Sequence, residues 1–155
     1  VLFTRNWVDD LKQGKEIGYY KSGEVEYTVN YIDDLKQGKE IAYYESGEVE
    51  FTLNWVDDLK QGEDLWYYET GGLYVKSIYL DDTEIEYIEY SKKGNLEFSY
   101  KNILKDGEMT NKWEYIFYKR GKIDQREIGV KEEGKRVGVW EFYNRKEKLL
   151  FTKKY

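Results

Sequence analysis

The chain has 155 residues, is 40% hydrophobic and 36% charged, and carries a formal net charge of −6, which suits one domain with a modest apolar core. It contains no cysteine, no histidine and no proline, so a disulfide framework, a thiolate metal site, and the commonest general base and metal ligand are excluded. Its apolar runs are only a few residues long, too short for a membrane-spanning helix.

The first residues already belong to a pattern. Val1-Leu2-Phe3-Thr4 matches Val25-Glu26-Tyr27-Thr28 and Val49-Glu50-Phe51-Thr52. The chain therefore starts mid-repeat, and we expect it to be part of a longer array; the compartment stays open, since a targeting segment could have been removed. Asp9-Asp10-Leu11-Lys12-Gln13-Gly14 recurs 24 residues on at Asp33 to Gly38, and again at Asp57 to Gly62. The pair Tyr19-Tyr20 recurs as Tyr43-Tyr44 and Tyr67-Tyr68, and Trp7 as Tyr31 and Trp55. A fixed period of this length marks an array in which each unit is one supersecondary element stacked on its neighbours.

Within one repeat, Lys15 to Tyr20 reads as a strand with Ile17 and Tyr19 on one side and Glu16, Gly18 and Tyr20 on the other. Lys21-Ser22-Gly23-Glu24 reads as a tight turn in which Gly23 takes a positive φ. Val25, Tyr27, Val29 and Tyr31 then alternate with polar residues, the pattern of a strand with one buried face. The next repeat offers Val49, Phe51, Leu53 and Trp55; the third offers Leu73, Val75 and Tyr79, with Ser77 as a weak point. The six-residue phrase Asp33 to Gly38 reads as the turn that joins one hairpin to the next.

Beyond residue 80 the copies diverge, and the turn glycine is the guide. Gly23, Gly47, Gly71, Gly94 and Gly121 mark the turns, with Glu147 in the last slot, at steps of 24, 24, 23, 27 and 26 residues. The longer steps predict insertions near Lys105-Asp106-Gly107 and Lys131 to Gly134. The Lys-rich end, with Lys146, Lys148, Lys153 and Lys154, fits a protected edge strand. We therefore expect an all-β fold: a single elongated, twisted antiparallel meander of about six stacked β-hairpin repeats over 1–155, regular over 1–80 and diverged over 81–155.

The stretch Gly134-Lys135-Arg136-Val137-Gly138-Val139-Trp140-Glu141-Phe142-Tyr143 resembles the MORN repeat family in its bacterial variant: Gly, three residues, Gly, one residue, Trp, then an aromatic pair. Gly14 through Gly23 matches more loosely, with Glu16 standing where Trp140 stands and Asp10 where Gly134 stands. The resemblance covers essentially the whole chain as about six units. It implies a run of β-hairpins, scaffold or dimerisation roles in eukaryotes, and, in bacteria, similarity to the YwqK-family antitoxins, which are thought to neutralise a partner toxin. Such repeats also occur appended to phosphatidylinositol phosphate kinases, so a kinase name would be inherited from the repeats.

The residues themselves give little chemistry. Phosphoryl transfer needs a phosphate-cradling glycine loop, a positioned lysine and metal-binding acids; here the glycines recur at the repeat period, as turns do. A serine nucleophile would lack histidine, and Ser22 and Ser46 sit in turns. Paired carboxylates could run a hydrolase, the weakest reading, and the Asp-Asp rungs could form a weak calcium ladder, although a solvated turn accounts for them better. No catalytic residue, cofactor or metal site is assigned.

Binding remains. Residues 1–100 carry a balance of −12 and residues 101–155 one of +6, an asymmetry that can steer partners or favour head-to-tail contacts. Aromatics interleave with bases at Trp113, Tyr115, Phe117, Tyr118, Lys119 and Arg120, but a negative chain argues against nucleic acid, and a membrane surface ranks below protein. Most of the 17 Tyr, 5 Trp and 6 Phe fill the regular inward rows as core packing, but a single-layer sheet cannot bury both faces by itself, and exposed aromatic rows favour protein interfaces. Tyr20, Tyr44, Trp66 and Tyr68 are the candidate contact row. Trp66 stands where earlier copies have Gly18 and Ala42, either filling a gap or anchoring a partner. The expectation is a non-catalytic protein-binding or scaffold module, antitoxin-like in the form the resemblance implies, with a self-associating structural segment as the alternative and strand addition at open sheet edges as a second route to a partner.

Overall fold

The computed structural model describes residues 2–106 and 108–155. The fold is all-β, with strands following one another in antiparallel meander order, as period-two segments joined by short turns require. The chain divides into two compact units, 1–84 and 85–155.

The first unit holds β1 (Leu2–Thr4), β2 (Trp7–Val8), β3 (Leu11–Lys12), β4 (Gly14–Tyr19), β5 (Val25–Ile32), β6 (Leu35–Tyr43), β7 (Val49–Val56), β8 (Leu59–Lys60), β9 (Gly62–Tyr67) and β10 (Leu73–Leu80). Their sheet order is β1-β4-β5-β6-β7-β9-β10; β8 pairs with β7, and β2 with β3 forms a separate ribbon. The second unit is built from β11 (Thr83–Tyr90, whose first two residues fall in the first unit), β12 (Leu96–Asn102), β13 (Lys112–Lys119), β14 (Lys122–Glu132), β15 (Lys135–Asn144) and β16 (Leu149–Lys154), paired in that order.

The turn slots lie where the sequence puts them. Gly23, Gly47, Gly71, Gly94 and Gly121 all have φ between 71° and 97°, and Glu147, the odd member, has φ of 57°. Three local expectations change. The connecting turn is not six residues long: Asp33-Asp34 alone makes it, with φ of 49° and 68°, the two-residue type I′ geometry that matches strand twist. Leu35 to Gly38 belong to β6. The insertion near residue 131 is likewise absent from the turn, where Glu133 and Gly134 take φ of 49° and 77°; the extra residues lengthen β14 to 11 residues. The insertion near residue 105 falls in the long connection between β12 and β13, and its Gly107 lies outside the described residues.

The third change concerns faces. Gly18 pairs with Tyr27, but Tyr19 pairs with Val25, because a bulge intervenes. An extra residue flips the side-chain alternation. Val25 therefore shares its face with Tyr19 and Ile17, while Tyr27, Val29 and Tyr31 share theirs with Gly18, Glu16 and Gly14. The same shift separates Val49 from Phe51 and Leu73 from Val75. The better-buried face of the first unit carries Glu16, Val29, Tyr31, Ala42, Leu53, Asp64, Val75 and Ser77. In the second unit Trp140 is fully buried, with Phe142 close behind. Trp140 lies against Gly129, where an added Cβ would come within 2.2 Å of the indole.

Candidate interaction face

Three carboxylates stand in equivalent places on the buried face of the first unit. Glu16, Glu40 and Asp64 follow the 24-residue period, and Glu16 pairs across the sheet with Val29, as Glu40 does with Leu53. Ser77 takes the same place opposite Asp64. A buried charge needs a partner, and the first two repeats supply one from the chain itself.

In the first repeat, Arg5 donates to Glu16 Oε2 and the Tyr27 hydroxyl donates to Oε1 at 2.8 Å. The Arg5 guanidinium lies over the ring of Phe3, 4.4 Å from its centroid. Burial pushes the Glu16 carboxyl up, but the hydrogen bonds from Arg5 and Tyr27 outweigh it and hold the group below its ordinary value. The Tyr27 hydroxyl is pushed up to about 12 by burial and by its bond to Glu16. In the second repeat, Lys36 Nζ donates to Glu40 Oε2 at 2.9 Å and the Trp55 indole donates to the same oxygen at 2.6 Å. Lys36 also sits 4.4 Å from the Trp55 ring centroid, so cation, ring and carboxylate close on one another.

The third repeat breaks the set. Its carboxylate is one methylene shorter. Asp64 is 3% exposed, and its Oδ1 is buried with no hydrogen-bond partner among the described residues. Lys60 keeps its place over Tyr79, 4.8 Å from the ring centroid, without an ion pair to Asp64. Burial raises the Asp64 carboxyl above its ordinary value, although the Trp66 indole and Lys60 pull the other way. The Tyr79 hydroxyl turns instead to Glu84 at 3.1 Å, and burial raises its pKa.

Beside Asp64 is Trp66. It pairs across the sheet with Phe51 and Val75, its ring lies 4.6 Å from that of Phe51, and it remains 38% exposed. Gly18 and Ala42 hold this place in the earlier repeats and are buried. The other candidate contact residues lie in the tight turns. The Tyr20 hydroxyl donates to the Tyr43 carbonyl at 2.5 Å and the Tyr44 hydroxyl to the Tyr67 carbonyl at 2.6 Å. Each ties its turn to the next repeat, and burial raises both hydroxyls. Tyr68 packs against Tyr74, with ring centroids 4.8 Å apart. Asp64 went unnoticed in the sequence, and its signal was there: Asp where the two preceding copies have Glu.

The second unit repeats the theme. Arg136 donates to Glu127 Oε2 at 2.5 Å, and its guanidinium lies 4.3 Å from the ring centroid of Trp140. Trp140 donates its indole N–H to the Val130 carbonyl at 3.1 Å. Around Phe98, the rings of Tyr87, Tyr100, Tyr115 and Phe117 lie at centroid distances of 5.1 to 6.4 Å. Lys131 Nζ donates to the Tyr115 hydroxyl at 2.9 Å. Lys119 and Arg120 stand apart from these rings, at the turn where Lys119 pairs with Lys122. Among the described residues no group of three or more Asp, Glu, His or Cys side chains is placed to hold a metal ion.

No protein-family model matches the chain, and no curated protein matches it in sequence.

Proposed function

We propose that this protein is a non-catalytic protein-binding module, and that its contact surface in the first unit centres on Trp66. The observation that carries this reading is the difference between the third repeat and the two before it. There, each ring-and-carboxylate set is closed by a cation of the chain itself. In the third repeat an indole that is 38% exposed stands beside a buried carboxyl group with one unpartnered oxygen. An accessible Trp backed by packed aromatics has the character of an interface hot spot.

The partner that fits is a protein surface with an apolar or cationic side chain to lay on the indole. The MORN-like spacing over 134–143 gives this a specific form, a repeat protein that covers a toxin. The carboxylates suit the same reading: Glu16 and Glu40 are held by cations and ring donors, an arrangement for packing and not for passing protons.

The test compares wild-type and Trp66→Ala chains as immobilised bait in an extract of the source cell. A protein retained by the first and lost from the second, with unchanged circular dichroism, supports the reading. Equal retention on both overturns it.

A further inference from the structure

The second unit has a basic edge. Its hairpin turns carry Lys92 and Lys93 between β11 and β12, Lys119, Arg120 and Lys122 around the β13–β14 turn, and Arg145, Lys146 and Lys148 around the β15–β16 turn. Alternate connections of an antiparallel meander fall on the same edge, so these clusters recur about every 10 Å, twice the strand spacing. An open hollow of about 670 Å³ is lined by Lys119, Arg120, Lys122, Ile123, Asp124 and Arg145. Lys119, Arg120, Lys122 and Arg145 form no ion pair among the described residues, and the lining of the hollow holds one acid, Asp124.

The first unit has an acidic edge of the same construction. The turns Asp33-Asp34, Asp57-Asp58 and Asp81-Asp82 lie on one side of the meander, again about 10 Å apart, and Asp9-Asp10 turns the ribbon whose Lys12 bonds Asp34. Asp34, Asp58 and Asp82 each accept one backbone N–H, and Asp33 and Asp57 each accept a glutamine amide. These donors are neutral, and none of the eight joins an ion pair among the described residues.

We propose that the basic turn edge of the second unit docks on the Asp-turn edge of the first unit of another copy of this chain. Charge complementarity selects the sign of the partner. The shared period selects the second copy: turns spaced by two strands on one edge meet turns spaced by two strands on the other, so several clusters engage in register. The contact is heterologous, joining different patches of the two copies, and it involves neither Trp66 nor Asp64. It stands independently of the function proposed above.

Sedimentation velocity at low ionic strength should show concentration-dependent association that salt abolishes. Lys119→Glu, Lys122→Glu and Arg145→Glu together should weaken self-association at least ten-fold, and so should Asp33→Lys, Asp57→Lys and Asp81→Lys together. These side chains are exposed, in the turns or at the strand ends beside them, and circular dichroism checks the fold of each variant. An equimolar mixture of the two variants should associate again, because the native Asp edge of one meets the native basic edge of the other, and the reversed edges complement each other as well. A wild-type chain that stays monomeric at low salt overturns the proposal. So does association that survives either reversal, and so does a mixture that stays monomeric.

Discussion

Lys36 and Asp58 clasp each other through two hydrogen bonds. The Lys36 backbone N–H donates to Asp58 Oδ1 at 2.6 Å, and the Asp58 N–H donates back to the Lys36 carbonyl at 3.1 Å. The same clasp joins Lys12 to Asp34 and Lys60 to Asp82. The repeated phrase thus works across repeats. Its Lys offers backbone to the next turn, and its second Asp receives it from the turn before.

Asp58→Ala should therefore destabilise the protein by about 2 kcal/mol, the cost of a charge-assisted hydrogen bond and of a residue other than Asp, Asn or Gly at positive φ. Asp58→Asn, which keeps the acceptor and tolerates the backbone, should cost less than about 1 kcal/mol. Asp10→Ala should cost less than Asp58→Ala, since Asp10 accepts no such bond among the described residues. Urea denaturation of the three variants checks the order.

Gly129→Ala and Gly18→Ala should differ sharply. A Cβ at Gly129 meets the indole of Trp140 at 2.2 Å, and Trp140 is fully buried. Overpacking there should cost about 3 kcal/mol. A Cβ at Gly18 meets the ring of Tyr27 at 2.1 Å, but that ring is less buried than the Trp140 indole, and the next repeat already accommodates Ala42 opposite Phe51. Gly18→Ala should cost about 1 kcal/mol, chiefly through a disturbed bond from Tyr27 to Glu16. Thermal melts separate the two.

Asp64 and Glu16 should respond to pH in opposite senses. The folded pKa of Glu16 lies below its ordinary value of 4.5, so its ionised form adds stability above that pH and the gain is lost as pH falls through the folded value. Glu16→Gln should be destabilising at neutral pH, with the deficit closing in acid. The folded pKa of Asp64 lies above its ordinary value of 3.8, so its contribution is intact below that pH and is lost as pH rises through the folded value. Asp64→Asn should stabilise the protein at neutral pH, with the gain vanishing below 3.8. Denaturation curves across this range test both signs.

Tyr20→Phe should lower stability by about 1 kcal/mol, the value of its hydroxyl bond to the Tyr43 carbonyl, and should leave partner capture intact. Trp66→Ala should lose capture while keeping the circular dichroism of the folded sheet, with a melting temperature lowered by the lost packing on Phe51. Parallel melts and capture assays on the two variants distinguish a strap between repeats from a contact residue.

Much of the fold was legible because it is local. Period-two alternation marked the strands, and the turn slots located even Glu147, a residue that does not advertise a positive φ. What misled was assuming that alternation continues unbroken. Val25 and Tyr27 look like neighbours in one row, yet the bulge opposite Tyr19 sets them on opposite faces. The candidate residues Tyr20, Tyr44, Trp66 and Tyr68 look uniform in sequence and are not uniform in structure. Tyr20 and Tyr44 look alike and available in sequence, but their hydroxyls are engaged by backbone 23 residues away.

The sequence by itself determined the all-β meander, the positions of its turns and the division between regular and divergent copies, because hydrophobic period and turn chemistry act over a few residues. Only the tertiary structure decided which face each side chain joins, and that Asp33-Asp34 and its equivalents are rungs of a ladder between repeats. It also decided that the carboxylate of the third repeat lacks the partner its predecessors have. These depend on register and on distances between strands, where one bulged residue or one missing methylene changes the outcome.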